Sequence, residues 1–379
     1  MTEDVADGRF RVTYRLFAPS LGRAEERALG IALEQTVEIP RDVVPPGFVE
    51  NTIMGRVEEV VERGDGAFDA TISYSPESTG AELPQLLNVV MGNTSIQKGV
   101  KAIGLDLGPL CEVHPGARFG VAGLRRLAKT PKGPLLSPVL KPQGSSASQL
   151  ADIAYLCAMG GAHIVKEDHG LTDQPCAPFK ERVRRIGDAV ARANAQSGGS
   201  TLYFAGLAGH SEDLLAHAHF AKENGAHGLL IMPGLFGFDL VRRIARDDTL
   251  SMPVMTHPSF LGPYVLSTDT GLTHALMFGT LQRIAGSDIS VFPNVGGRFG
   301  FTADECLSIA GACRDDSAPG PAIFPSPGGG MSVDRATDMI AMYGDDAVFL
   351  LGGSLLRYGE NIGEGLRKLH EAIDGRQVH

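Results

Sequence analysis

Five consecutive residues, Lys166-Glu167-Asp168-His169-Gly170, carry three kinds of titratable side chain directly after an apolar run. Strand alternation places Lys166 and Asp168 on one side, with His169 entering the following loop. A carboxylate and an imidazole at one strand end can hold a divalent metal, and a lysine converted to its carbamate would add a third, anionic ligand. A solvated run of charges has the same composition, and the position after an apolar strand leaves the two readings evenly balanced. Lys141 closes another apolar run in the phrase VLKPQGSS. Burial at a strand end lowers a lysine's pKa and lets it act as acid or base, although a lone surface lysine before a turn reads alike. His257, in MTHPS, could polarise or protonate a substrate oxygen, or be a hydrogen-bonded structural histidine. The loop from Asn294 to Gly300 has glycine hinges around Arg298, the pattern of a lid that closes over an anion or of an ordinary turn. Two glycine runs, Gly328-Gly329-Gly330 and Gly352-Gly353 before Ser354, would let backbone N–H groups approach phosphate oxygens.

These residues need elements to hold them. From Phe10 the chain alternates apolar and polar (Phe10, Val12, Tyr14, Leu16), the period of a half-buried strand. A helix is expected from about Ala24 to Gln35, strands over Met54–Val61 and Ala67–Tyr74, a helix over Leu83–Met91 and a strand near Val100–Leu107. That β-α-β-β-α-β order is the split ferredoxin-like unit. After residue 132 short apolar runs alternate with amphipathic helices. Strands are expected at Leu135–Leu140, His163–Lys166, Thr201–Phe204, Gly228–Met232, Pro253–Thr256, Asp288–Phe292, Ala322–Phe324 and Ala347–Leu351. Ser146 with Gln149, and Thr302 with Glu305, have capping-box spacing at two helix starts. Eight β-α pairs over roughly 245 residues match a (β/α)8 barrel. A doubly wound sheet is the alternative, weakened by the lack of a GxGxxG after a strand. The expected architecture is therefore an α+β ferredoxin-like domain over residues 1–130 and a TIM barrel over residues 131–379. In such a barrel the chemistry sits at the C-terminal strand ends, where all the residues above fall, and loops after strands 7 and 8 often bind phosphate.

Composition narrows the class. With 43 % hydrophobic and 21 % charged residues, the 379-residue chain is globular and not disordered. A net charge of −10 argues against a phosphate-backbone-binding surface, so nucleic acid is not expected as a partner. Five scattered cysteines without a C-x-x-C pair point to a reducing compartment, without disulfides or a zinc cluster. The acidic start MTEDVADGRF is no signal peptide, and no apolar run reaches membrane-spanning length. A cytoplasmic location and no membrane contact are expected.

Taken together, the phrases GPLLSPVLKPQG, GGAHIVKEDHGL with the QP…F…RV that follows, and VVMGN ending at Asn93 resemble the large subunit of ribulose bisphosphate carboxylase/oxygenase. The likeness is to its non-carboxylating relatives, the RuBisCO-like proteins, and covers nearly the whole chain in order. It implies that Lys141 assists proton transfer at the enolising carbon, and that Lys166 is the carbamylated ligand of a magnesium ion with Asp168 beside it. It also implies that His257 is the histidine after strand 5, that Arg298 replaces the lid lysine, and that Gly329, Gly330, Gly352 and Gly353 cradle a phosphate. Glu34 and Asn93 would complete the site of a partner subunit in a homodimer or larger assembly.

Several positions depart from the carboxylating pattern. His169 stands where a second carboxylate ligand is expected, and is either a metal ligand or an acid/base. Gln143 replaces the second lysine of the strand 1 motif. Arg298 cannot mimic a compact ammonium at a reacting carboxylate. Val291-Phe292-Pro293 stand where strand 6 should end in histidine, and the glycine-bearing segment expected after Glu34 is absent. Carbon dioxide fixation is expected to be lost and enolisation kept. The KPxG and KxDHGL forms resemble the branch that isomerises 5-methylthioribulose 1-phosphate, which makes a sugar-phosphate isomerase the leading expectation. Carbon–carbon cleavage or decarboxylation of a branched 3-oxo acid phosphate, with Arg298 on the carboxylate, is the alternative. A non-catalytic scaffold is a third. Phe260, Phe292 and Phe299 are candidates for an apolar pocket around a methylthio group.

Overall fold

The computed structural model describes residues 8–375; most of the acidic start read above lies outside them. The first strand, β1 (Phe10–Phe17), alternates buried and half-buried along its whole length. Phe10, Val12, Tyr14 and Leu16 are fully buried, as the period of two requires. It pairs antiparallel with β3 (Ala67–Tyr74) and β4 (Val100–Asp106), and β2 (Arg56–Gly64) pairs with β3. The helix Leu21–Glu34 starts at Ser20, whose hydroxyl accepts the Arg23 N–H, and buries Ala24, Ala28, Ile31 and Ala32. A second helix, Leu83–Met91, completes the expected order.

Eight parallel strands then close into a barrel: β5 (Leu135–Leu140), β6 (Ile164–Glu167), β7 (Leu202–Gly206), β8 (Gly228–Ile231), β9 (Val254–Thr256), β11 (Ile289–Pro293), β12 (Phe324–Gly328) and β13 (Val348–Leu351). A two-residue strand, β10 (Gly271–Leu272), leaves the barrel after β9 and pairs parallel with β4, adding a fifth strand to the N-terminal sheet. Both capping boxes form, at Ser146 with Gln149 and at Thr302 with Glu305. Seven strands lie within a few residues of their expected bounds. The exception is β12, which extends through Pro325, Pro327 and Gly328, residues that read as loop.

The barrel interior is filled by alternate residues, among them Leu135, Val139, Ile164, Phe204, Leu230, Met255, Ile289, Phe324 and Val348. Each such side chain contributes about 1.5–3 kcal/mol by leaving water. Leu124 and Ala128 of the helix Gly120–Ala128 join the same cluster and plug the lower end of the barrel.

Three polar side chains recur at that lower end with one geometry. His163 Nδ1 accepts the Leu136 N–H at 2.8 Å, and His227 Nδ1 accepts the Tyr203 N–H at 3.2 Å. Asp288 accepts the Val254 N–H at 2.9 Å. Its other oxygen takes the Phe119 and Gly120 N–H groups at 2.8 and 2.7 Å, capping the plug helix from outside its own sequence. Each stands two residues after a glycine in left-handed backbone, Gly161, Gly225 or Gly286, which turns the chain into the next strand.

Candidate active site

The barrel's alternation carries interior residues upward to its C-terminal rim. On β5 the inward series 135, 137, 139 leads to Lys141, and on β6 the series 164, 166 leads to Asp168. Val139 pairs with Lys166 across the two strands, so the two lysines come from adjacent staves. Lys141 Nζ lies 3.2 Å from one oxygen of Asp168, and His169 Nδ1 lies 3.2 Å from the other. His169 stacks on His257 with ring centroids 4.0 Å apart and an interplanar angle of 17°. Lys141, Lys166, Asp168, His169 and His257 thus form one cluster.

Lys166 is almost completely buried. Burial pushes its ammonium down to about 8, a shift that Asp168 opposes and Lys141 reinforces. A substantial neutral fraction near neutral pH is what reaction of an amine with carbon dioxide needs. Burial alone would raise Asp168, but the hydrogen bond from His169 and the charges of Lys166 and Lys141 outweigh it and hold the carboxyl well below its usual range. His257 is held neutral, well below the ordinary imidazole value, by burial first and then by Lys166 and His169. Its Nδ1 lies 2.9 Å from the Ser259 hydroxyl and accepts the Ser259 N–H at 3.3 Å. Accepting there leaves the ring proton on Nε2.

Glu167 does not belong to this cluster. It faces outward, fully buried, accepting from Tyr203 at 2.6 Å and from the Gly206 N–H at 3.1 Å, with Arg182 Nε 3.1 Å away. One carboxylate of the charged run is therefore structural.

The two glycine turns meet at the rim. Gly328 on β12 pairs with Leu350 on β13, and the Ser354 hydroxyl donates to the Met331 carbonyl. Gly329 and Gly330 have φ of +98° and +67°, and a Cβ on Gly329, Gly352 or Gly353 would point into open space. Among the described residues the Gly330 N–H donates to no backbone carbonyl. The lid loop runs alongside. It is fixed at one end by Asn294, which accepts from Tyr343 at 2.8 Å, and at the other by Phe301, packed edge-on against His274.

Some expected positions are not brought to the cluster. Arg298 is exposed and lies over the Phe299 ring at 5.1 Å. Glu34 and Asn93 join each other, Asn93 Nδ2 donating to Glu34 Oε1 at 2.9 Å, but among the described residues no hydrogen bond or ion pair links them to the lysine cluster of the same chain. Phe292 cannot line a pocket, because it is fully buried against Tyr343; Phe260 and Phe299 remain exposed. Two supporting residues gave no sequence signal. Gln35 clamps the Glu34–Asn93 pair by accepting from the Thr94 N–H and hydroxyl and donating to the Asn88 and Val89 carbonyls. Arg335 bridges the lid to the glycine turn, donating to Val295 O at 3.1 Å and Gly330 O at 2.9 Å.

The chain is 37 % identical over 358 residues to the 5-methylthioribulose-1-phosphate isomerase of Rhodospirillum rubrum, covering 94 % of each. The chain belongs to the RuBisCO large-chain family. Residues 120–299 match the family's catalytic domain, described as that of the ribulose bisphosphate carboxylase large chain. Within the family it is a RuBisCO-like protein of the non-carboxylating form IV, related to methionine-salvage enzymes. The crystal structure of the RuBisCO-like protein from Rhodopseudomonas palustris superposes with a TM-score of 0.84 at 32 % identity, covering 97 % of this chain and 98 % of that one. The 2,3-diketo-5-methylthiopentyl-1-phosphate enolase of Bacillus pumilus is 29 % identical over 342 residues, 88 % of this chain and 83 % of that protein.

Proposed function

We propose that this RuBisCO-like protein isomerises 5-methylthioribulose 1-phosphate, or a closely related ketose phosphate, by 1,3-proton transfer and without fixing carbon dioxide. The observation that carries this reading is the Lys141–Asp168 contact of 3.2 Å above buried Lys166, on the same rim as the glycine turns. Asp168 holds the Lys141 ammonium in place, so that Lys141 moves a proton at the carbon beside the substrate ketone. The neutral His257 donates from Nε2 to the oxygen on which charge develops. The glycine N–H groups hold the phosphate, fixing the reacting carbon relative to Lys141.

The donor set suits magnesium once Lys166 is carbamylated. Among the described residues no three His, Cys, Asp or Glu side chains converge on a metal position, so Asp168 and His169 need the carbamate as a third ligand. Bound there, the ion would act as a Lewis acid on the carbonyl and hydroxyl oxygens. Glu34 and Asn93 serve the site of a second copy, which makes the working unit a homodimer or larger. Among the described residues no helix is long and apolar enough to cross a membrane.

A second reading, tautomerisation of a 2,3-diketo-5-methylthiopentyl 1-phosphate, is favoured by the Bacillus relative. It uses the same proton removal on a different ketone. Incubation of each compound in deuterium oxide with magnesium and bicarbonate separates the two. Deuterium uptake with an isomeric aldose or ketose product from 5-methylthioribulose 1-phosphate is expected. Uptake into the diketone alone selects the second reading, and release of carbon dioxide or a two-carbon acid selects cleavage. Exchange into neither compound would leave the scaffold reading.

A further inference from the structure

Arg335 is a half-buried cation with no carboxylate partner among the described residues. Its guanidinium lies between two loops, with Nη1 on the Gly330 carbonyl and Nη2 on the Val295 carbonyl. Both loops have glycine where it sits. A Cβ on Gly330 would come within 2.6 Å of Nη1, and one on Gly296 within 3.3 Å of Nη2. Among the described residues no carboxylate comes within ion-pair distance, although Asp334 and Asp338 are near in sequence. Two neutral carbonyls satisfy two of its five donors and none of its charge. A partly buried guanidinium with free donors and no counter-ion is suited to receive an anion from outside. The nearest place for one is the turn it already touches, where among the described residues the Gly330 N–H has no backbone acceptor and the space over Gly329 is open.

We infer that Arg335 binds the substrate's phosphate together with the glycine turn and, through Val295, couples that binding to closure of the 294–300 lid. The inference rests on the phosphate assignment of the glycine turns, and it adds the missing positive charge and a route from phosphate to lid. It also gives the lid a reason to close only on a phosphorylated ligand.

The probe is inorganic phosphate, and two readouts need no turnover. Phosphate affinity is measured by titration calorimetry on the whole protein. Lid closure is measured as trypsin cleavage after the exposed Arg298, detected by mass. In the unaltered protein phosphate should slow that cleavage. In Arg335→Met, phosphate affinity should fall roughly ten- to hundredfold, and phosphate should no longer protect Arg298. Arg335→Lys keeps the charge without the planar fork. It should recover part of the affinity but little of the protection, and its melting temperature guards against misfolding as the cause. Wild-type affinity and protection in Arg335→Met would overturn the inference while leaving the glycine cradle intact. If the unaltered protein neither binds phosphate nor is protected by it, the cradle assignment falls and the inference with it. Phosphate binding and protection that depend on Arg335, in a protein that exchanges no deuterium into either methylthio substrate, would uphold Arg335 and overturn only the proposed reaction.

Discussion

His163, His227 and Asp288 at the base of the barrel and Asp168, His169 and His257 at its rim are the same two residue types at strand ends. Their partners differ. At the base each accepts a backbone N–H from the neighbouring strand, and Asp288 accepts three. At the rim side chains also face side chains: an ammonium and an imidazole on one carboxylate, and one imidazole on another, although His257 still accepts the Ser259 N–H. A group whose hydrogen-bonding capacity is filled by backbone has nothing left for a ligand. One bonded to titratable side chains can exchange them for a substrate. Residue type therefore carries less information than which end of the strand the residue occupies and what fills its lone pairs.

Substitutions at the two ends should separate activity from stability. The largest effect is expected for Lys141→Met, which should cut deuterium exchange at least about a thousandfold while shifting stability by no more than roughly 0.5 kcal/mol. Full activity in that variant would remove Lys141 from the mechanism. At the base, Asp288→Ala leaves three N–H groups, two of them buried, without an acceptor and should cost roughly 3–5 kcal/mol, read by denaturant titration. Its kinetic constants well below the melting point should stay near wild type, and a selective loss of kcat would break the contrast between the ends.

A pH series sharpens it further. Burial first, then the nearby charges of His370 and Arg125, lowers His163 to about 4. The unfolded chain takes up that proton near the ordinary imidazole value and the folded chain does not. The corresponding stability is present above about pH 6.5 and is lost as pH falls toward 4, on the order of 3 kcal/mol in all. His163→Asn, which offers a non-titrating acceptor at nearly the same place, should flatten the melting temperature over that interval; an unchanged profile would contradict the assignment. The smallest effect is expected for Ser259→Ala. Losing the hydroxyl beside His257 Nδ1 should lower kcat only a few-fold, with no change in stability.

Much of this was legible because the signals are periodic. The alternation of β1, the capping boxes and the strand-end positions of Lys141, Lys166 and His257 all follow from spacing. What escaped has no local signature. The expected strand Ala322–Phe324 stops short of Pro325 and Pro327, which lack an N–H yet pair within a parallel barrel. Glu167 looked like part of the charged site until Arg182 and Tyr203, distant in sequence, were seen to fill its oxygens. Arg335 and Gln35 matter through contacts with backbone carbonyls, and any carbonyl looks alike in a sequence. The exposure of Arg298 and Phe299 depends on how a glycine loop rests, which composition does not determine.

The short β10 segment has a consequence for taking the protein apart. Because it leaves the barrel to run beside β4, the module boundary is crossed by main-chain bonding as well as by packing. Excising the barrel for separate expression would strip β10 of its neighbour and, at the same cut, bare one flank of β4 in the other fragment. Each piece would then carry a raw edge able to recruit strands from other chains, so insolubility of either half would report this stitch and say nothing about whether its interior is well formed.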